Sequence, residues 1–594
     1  MTWSKQFWVS IAVCIVLANG TSTAQNFVRV TDAFNEAATD SGDVNYNGAA
    51  WLDFDNDGDE DLFVDRNRMY RNDGEGVFVE MNIGVFNIAG LGNGCSWADY
   101  DNDGDLDLYV ASNPYSVLYR NDGAGELIPI EEGDINWHLD HRAFACAWGD
   151  YDSDGNIDLA VVHPALFMGA PVLTNMMYHN DGPPNYNFTR VTDNDVVMGQ
   201  AAYTVGMFSD YDLDGDQDFF IGSGPVQNQG VDYLYRNELA ETGTADLVRI
   251  TDGIIAETPR DGQNFNWIDY DNDTDLDCYI TNYQGGVLPG MANDLYRNDG
   301  EAGFTEITIG AIVIDAQVSL GNCWADFDND GDLDCIVANE SWTNKYYRNN
   351  GNGSFTSINN AVTIAGLFRT PVTADYDNDG DLDLFISGVA RSQAFFRNDL
   401  SNANHYLKLK CIGVLSNRAA IGARVRILTS HDGNDVWQQR EINSQNSFGG
   451  HNSYIVHFGL GAAEVVDSIE IYWPSGILMA WGGVSADQLL TIEEDTTLSH
   501  SGETPQPLPD NFVISAYPNP FNSTISITLD VPLQQEVKLA LYDLLGREVA
   551  VIHRGRLNST TLSYTTPASL ASGIYFLRAA SANQAAMQKI VLLK

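Results

Sequence analysis

Seven copies of one nine-residue pattern constrain this chain more than any other feature. The copy Asp99-Tyr-Asp-Asn-Asp-Gly-Asp-Leu-Asp107 puts an acid at every odd position and Gly104 at position six. The copies start at Asp53, Asp99, Asp150, Asp210, Asp269, Asp326 and Asp375, at successive offsets of 46, 51, 60, 59, 57 and 49 residues. A loose period of this size indicates a repeat architecture. Carboxylates in this phase suit a hard cation. Calcium takes six to eight oxygens at about 2.3–2.6 Å in irregular geometry, whereas magnesium demands a tighter octahedron.

The candidate ligands fall into five sets. Position one is Asp53, Asp99, Asp150, Asp210, Asp269, Asp326 and Asp375. Position three is Asp55, Asp101, Asp152, Asp212, Asp271, Asp328 and Asp377, and position five is Asp57, Asp103, Asp154, Asp214, Asp273, Asp330 and Asp379. Position seven, expected to offer its backbone carbonyl, is Asp59, Asp105, Asn156, Asp216, Asp275, Asp332 and Asp381. Position nine is Asp61, Asp107, Asp158, Asp218, Asp277, Asp334 and Asp383. Up to seven structural calcium ions follow. The fifth copy departs at position six, where Thr274 replaces glycine. A β-branched residue at positive φ is strained, so that loop either bends differently or holds its metal more weakly.

These are not EF-hands, which need a bidentate Glu at position twelve and flanking helices. Position twelve is instead Val64, Val110, Val161, Ile221, Ile280, Val337 or Ile386, so each loop runs into a strand. An aromatic stands two residues before six of the loops (Trp51, Trp97, Trp148, Phe208, Trp267 and Trp324) and reads as core. A second signature follows each loop, as in Leu118-Tyr-Arg-Asn-Asp-Gly123, with hairpin-turn chemistry. That makes about four strands per repeat, the content of a propeller blade. The seventh repeat lacks its last strand, and Asn26-Phe-Val-Arg-Val30 supplies a matching one that would seal the ring. The expected fold is all-β: a seven-bladed β-propeller followed by two small β-sandwich domains.

The formal charge is -52, and the seven loops hold 35 of the 82 acids. Seven calcium ions would still leave about 38 negative charges, which argues against nucleic acid or an anionic membrane as partner. Residues 1–24 read as a signal peptide, with Lys5, an apolar run from Phe7 to Ala18 and a small-residue site at Ser22-Thr-Ala24. No later stretch is long and apolar enough for a transmembrane helix. Cys95, Cys146, Cys278, Cys323, Cys335 and Cys411 remain in the mature chain. Buried free thiols are the expectation, with Cys323 and Cys335 the one pair to test for a bridge.

The loops, over residues 25–403, resemble the FG-GAP/VCBS repeats of integrin-α-like propellers. The resemblance implies calcium on one face and ligand contact on the other. Residues 404–494 contain Asn417-Arg-Ala-Ala-Ile-Gly-Ala-Arg-Val425 and Val466-Asp-Ser-Ile-Glu-Ile-Tyr-Trp-Pro-Ser-Gly476 and resemble the ASPIC/UnbV domain of cartilage acidic protein-like chains. There Arg418, Arg424, Arg440 and Glu441 form ion pairs or a polar site. A proline-stiffened linker spans 495–510. Residues 511–594, with Tyr517-Pro-Asn-Pro-Phe-Asn522 and Leu570-Ala-Ser-Gly-Ile-Tyr-Phe-Leu-Arg578, resemble a type IX secretion C-terminal sorting domain. That resemblance implies the type IX machinery as a partner and a secreted or outer-surface location.

Two functions fit. One is a calcium-stabilised binding or adhesion module for an extracellular glycan or protein. The other is a calcium-dependent polysaccharide lyase or hydrolase. Its motive is the cluster His138, His141, Arg142, His163 and His179 in or near repeat three, where an imidazole could move a proton or bind a transition metal.

Overall fold

The computed structural model describes residues 27–30, 48–64, 68–74, 76–85, 94–112, 116–131, 133–135, 143–164, 173–224, 230–283, 290–389, 392–431, 434–497, 513–517, 519, 521–530, 535–542, 547–557, 560–567, 570, 572–580 and 585–593. The leader assigned to 1–24 lies outside them, as does most of the 495–510 linker. The chain divides into a unit ending at His500 and a unit beginning at Ser501.

The first unit opens with five antiparallel four-stranded sheets and one eight-stranded sheet, which holds two further four-stranded sets joined edge to edge. Their first strands are Ala49–Leu52, Cys95–Ala98, Ala145–Gly149, Tyr203–Ser209, Gly262–Ile268, Ser319–Ala325 and Ala365–Ala374. Each touches the next in that order, and the last touches the first, so the sheets stand around a central channel as the blades of a propeller. Every nonapeptide joins the first and second strands of its blade; Trp97, for example, pairs with Leu108 across the second loop. The aromatic stripe is core: Trp51, Trp97 and Trp148 are wholly buried.

Blade seven borrows its outer strand from the N-terminus. Phe27 pairs with Asn398, Val28 with Arg397 and Arg29 with Phe396. The Phe27 ring sits edge-on to Phe327 at 5.4 Å and to Tyr346 at 6.0 Å. Blades six and seven are also joined through Glu340–Leu367 and Thr343–Ala365 pairing. Three short helices that periodicity does not reveal, Asp195–Met198, Ile254–Glu257 and Ala311–Ile314, follow the outer strands of blades three, four and five.

The same unit continues into two further sheets. One contains Val456–Gly461, His405–Ile412 and Gln488–Glu493; the other contains Asn434–Glu441, Arg424–His431, Ser468–Tyr472 and Leu478–Trp481. Their apolar faces share one core with blades two and three, in which Leu407, Phe458 and Ile471 join Tyr109 and Trp148.

Between the two sheets the chain sends residues 443–454 down the channel. Ser444 behaves like a strand partner: its Oγ donates to Trp148 O (2.7 Å) and accepts from Trp148 N (2.9 Å). Ser96 Oγ donates to Ser444 O, and Asn266 Nδ2 donates to Asn446 O. At the far end Thr370 Oγ1 donates to Phe448 O, and the Phe448 ring meets Phe144 at 5.6 Å. The chain then returns, exchanging backbone bonds between His451 and Ala49 and Trp51. Gly450 is required here, because a Cβ would lie 1.9 Å from Ala49 O.

All six described cysteines are free and buried. Cys323 pairs across the ladder with Ile336 and Cys335 with Trp324, so alternation sends the two thiols to opposite faces and into different clusters. The bridge weighed from sequence does not form.

The second unit is a two-layer sandwich of Val513–Tyr517, Thr524–Asp530 and Thr560–Thr565 against Glu548–Leu557, Gln535–Tyr542, Gly573–Ala580 and Ala585–Leu592. Ile525, Ile527, Leu539, Leu541, Leu577 and Ile590 fill it.

Because Phe27 is 5% exposed and anchors the closing strand, Phe27→Ala should destabilise the first unit by about 3 kcal/mol, read by denaturant unfolding. Deletion of residues 25–34 should cost more and broaden the transition.

Candidate metal centres

Each nonapeptide folds around its own carboxylates. The position-one side chain accepts the N–H groups of positions five and six: Asp99 takes Asp103 N at 3.0 Å and Gly104 N at 2.8 Å, and Asp326 takes Asp330 N at 3.1 Å and Gly331 N at 2.7 Å. Position five accepts the N–H of position seven in all seven loops, at 2.8–3.2 Å. Position six has φ between 87° and 102° wherever it is glycine. Thr274 follows the same path at φ 75°, with its N–H on Asp269 Oδ2 at 3.2 Å. The fifth loop therefore bends like the others and stores strain of about 1–3 kcal/mol.

Position four is also left-handed throughout: Asn56, Asn102, Ser153, Leu213, Asn272, Asn329 and Asn378 have φ of 55–63°. Asparagine tolerates this region better than most residues. Its amide then reaches the neighbouring loop. Asn56 donates to Asp105, Asn272 to Asp332, Asn329 to Asp381 and, across the seam, Asn378 to Asp59. Four position-seven side chains thus serve the adjacent blade.

Position nine is buried in every loop. One oxygen of Asp107 accepts Tyr100 N and the other accepts Asn121 N, at 3.0 and 2.8 Å. The third-strand asparagine meets its own position-nine acid in all seven blades. Its amide also donates to a position-two carbonyl of the preceding blade: Asn180 to Tyr100, Asn237 to Tyr151, Asn349 to Tyr270, Asn398 to Phe327 and Asn72 to Tyr376.

These internal bonds leave oxygens over. Position-three Oδ1 atoms of Asp101, Asp152, Asp271 and Asp377, and both oxygens of Asp328, are buried without a hydrogen bond, as are Asp210 Oδ1 and Asp218 Oδ2. The groups Asp53/Asp55/Asp57, Asp99/Asp101/Asp107, Asp150/Asp152/Asp154 and Asp210/Asp212/Asp218 each bring three oxygens within 4.8 Å. Orphaned, converging carboxylate oxygens fit a calcium ion. Without one, burial and mutual repulsion raise the carboxyls: Asp99 and Asp269 to about 7, Asp61 to about 8 and Asp277 to about 9.

The second pair of sheets lays cations against the loop starts. Lys408 and Lys410, two apart on one strand, share a face. Lys408 Nζ donates to Asp375 Oδ2 at 2.5 Å and Lys410 Nζ to Asp53 Oδ2 at 2.9 Å. Arg440 is half-buried beside Asp269, Asp326 and Asp332, and Arg424 faces Asp210. Glu441 accepts from Ser209 Oγ and Asp210 N. Arg418 uses its backbone N–H to reach Asn102 Oδ1, with its guanidinium 3.8 Å from Glu493. Of the four residues singled out from sequence, Arg440, Arg424 and Glu441 turn toward the loops. Lys408 and Lys410 were missed, although their i, i+2 spacing on a strand carried the signal.

Of the repeat-three cluster, only His163 and His179 are among the described residues, and these two stand apart. His138, His141 and Arg142 lie outside the described residues. His163 follows the far end of Asp158–Val162, about 16 Å along the strand from the loop, whereas His179 stands over the loop itself.

Comparison with known families agrees with this layout. FG-GAP-like repeats match residues 53–110, 99–161, 269–337 and 326–386, the ASPIC and UnbV family matches 413–499, and a secretion system C-terminal sorting domain matches 515–593. No curated protein matches the chain. Among solved structures, an Agrocybe aegerita lectin specific for non-reducing terminal N-acetylglucosamine is 13% identical, covering 67% of this chain and 96% of its own, with a TM-score of 0.38. Saccharomyces cerevisiae Sqt1 is 10% identical over 59% of this chain and 96% of its own, at 0.34. The exo-β-1,3-galactanase 1,3Gal43A of Clostridium thermocellum is 9% identical over 82% and 93%, at 0.27. Scores this low decide nothing about function. No described helix is long and apolar enough to cross a membrane.

Two outcomes follow. Lys408 and Asp375 are buried, so Lys408→Ala strands a carboxylate and should cost about 3–5 kcal/mol, against under about 1 kcal/mol for the more exposed Lys410→Ala, by denaturant unfolding. The loop carboxyls bind more protons folded than unfolded, so their cost is absent below the unfolded value of about 4, grows as pH rises above it and levels off above the folded values of about 7 to about 9. The stabilisation by calcium over chelator should therefore shrink steadily as pH falls from 8 to 5 in paired melts. Buried His451 and His457, held down to about 4 and about 3, cancel in that difference. The chain is an array of FG-GAP-like repeats joined to an ASPIC and UnbV domain and a type IX sorting domain, exported to the outer surface or beyond.

Proposed function

We propose that this protein is a calcium-loaded binding module, delivered by the type IX machinery, which engages an extracellular glycan or protein. The observation that carries the reading is the filled channel. Residues 443–454 occupy the axis along which a propeller could admit a small molecule, and the basic side of the following sheets lies over the inner ends of the loops. What remains for recognition is the outer rim and the end away from the nonapeptides. A rigid closed ring suits that task, because little order has to be gained on binding.

Calcium would be held by the side chains at positions one, three, five and nine and the backbone carbonyl at position seven, and it would neutralise the crowded carboxylates. In four loops position seven keeps its side chain for the neighbouring blade. The residues of the chain do the rest: the third-strand asparagines tie blade to blade, and the Lys408 and Arg440 cations balance the inward-facing oxygens.

The test uses the full mature chain in calcium, incubated with insoluble and soluble polysaccharides and with extracellular proteins. Retention without new sugar ends is expected. Chelator-sensitive release of sugar ends would replace this reading with the polysaccharide-degrading enzyme. Retention on nothing in the panel would remove the glycan branch.

A further inference from the structure

Loop three differs from the other six in a way its nonapeptide does not show. In six repeats the residue before the third-strand asparagine is arginine: Arg71, Arg120, Arg236, Arg297, Arg348 and Arg397. Five of these bind the acid two residues on, as Arg120 binds Asp122 and Arg297 binds Asp299. In repeat three the residue is His179, and the acid two residues on, Asp181, accepts from Thr189 Oγ1 instead. The imidazole turns inward. Its Nδ1 lies 3.2 Å from Asp152 Oδ2 and 3.3 Å from Asp158 Oδ1. With the ring protonated these two contacts are ion pairs, which a metal would have to displace, and Asp152 Oδ1 is buried without a hydrogen bond. Asp158 is fully buried and fixed by Tyr151 N and Asn180 N.

The three donors lie within 4.8 Å of one another. A tetrahedral site with bonds of about 2.0–2.1 Å has edges of about 3.3–3.4 Å, close to the two His179 separations. The same loop carries one negative charge fewer, since position seven is Asn156, whose amide joins its own backbone N–H on Asp154 Oδ1 at 3.0 Å. A lower charge and a nitrogen over the loop disfavour calcium, which takes oxygen ligands, and favour a borderline divalent ion, for which imidazole is a preferred donor.

We propose that loop three is a zinc-class site formed by Asp152, Asp158 and His179, with a coordination position left for water or a ligand group. The proposal rests on the reading of the loops as cation sites but departs from it in the ion that this one selects. The full mature chain is stripped with chelator, then dialysed against millimolar calcium with trace zinc, and both metals are counted by mass spectrometry. About one zinc per chain should persist, and cobalt in its place should show the visible bands of a low-symmetry four-coordinate ion. His179→Arg restores the residue of the other repeats, so it should fold. It should weaken zinc at least tenfold while leaving the other loops' calcium unchanged. Zinc displaced by calcium in the wild-type chain, or zinc retained by His179→Arg, would overturn the proposal. Absence of calcium with zinc retained would instead overturn the calcium reading and leave this one standing.

Discussion

The buried carboxylate at position nine is the interaction on which the rest of the propeller depends. It sits at the start of the second strand, where the loop has just turned, and in most blades it accepts one N–H from the loop and one from the third strand. A carboxylate is the one common side chain that can receive two backbone donors from different directions without needing a donor of its own. It fixes the loop onto its blade. The asparagine it holds then reaches the preceding blade, so the local pin becomes a circumferential stitch. Asn72 to Tyr376 carries that stitch across the seam where the ring closes.

A ring of acids pinned this way cannot be electrically neutral, and the chain answers from two sides. From within the unit, Lys408, Lys410, Arg424 and Arg440 approach the loop starts of Asp375, Asp53, Asp210, Asp269 and Asp326. The orphaned oxygens at position three are left over, where they could hold a cation. This division explains why the following domain is not a separable bead. Its cations complete the electrostatics of the propeller, and its 443–454 segment completes the channel.

Much of this was legible in the sequence. In-phase acids followed by β-branched residues placed the loops between strands, and the orphan Phe-Val-Arg strand at the N-terminus identified the closing partner. Thr274 was legible as a strained residue, although only the structure shows that the loop keeps its path. The left-handed position four was written in the asparagines at five of seven copies and went unread. The channel segment was illegible for a physical reason. Burial is normally recognised by apolar periodicity, but a propeller channel exposes backbone donors and acceptors. The segment that fills it, Asn-Ser-Gln-Asn-Ser-Phe-Gly-Gly-His-Asn-Ser-Tyr, therefore looks like a solvated loop. The Cys323 and Cys335 question was decided by strand register, which spacing alone did not supply.

The closing strand also sets the tempo of folding. Phe27 and Asn398 are paired neighbours separated by almost the whole propeller, so the last blade cannot be completed until the first residues return to it. Blades one to six form from contacts within a few dozen residues and can assemble early. The edge at Ala394–Asn398 waits with an unpaired ladder and Phe396 beneath it. Long-range pairing of this kind is slow, and an open edge is a template for another chain. The most aggregation-prone species of this protein is therefore a nearly finished ring with one missing strand.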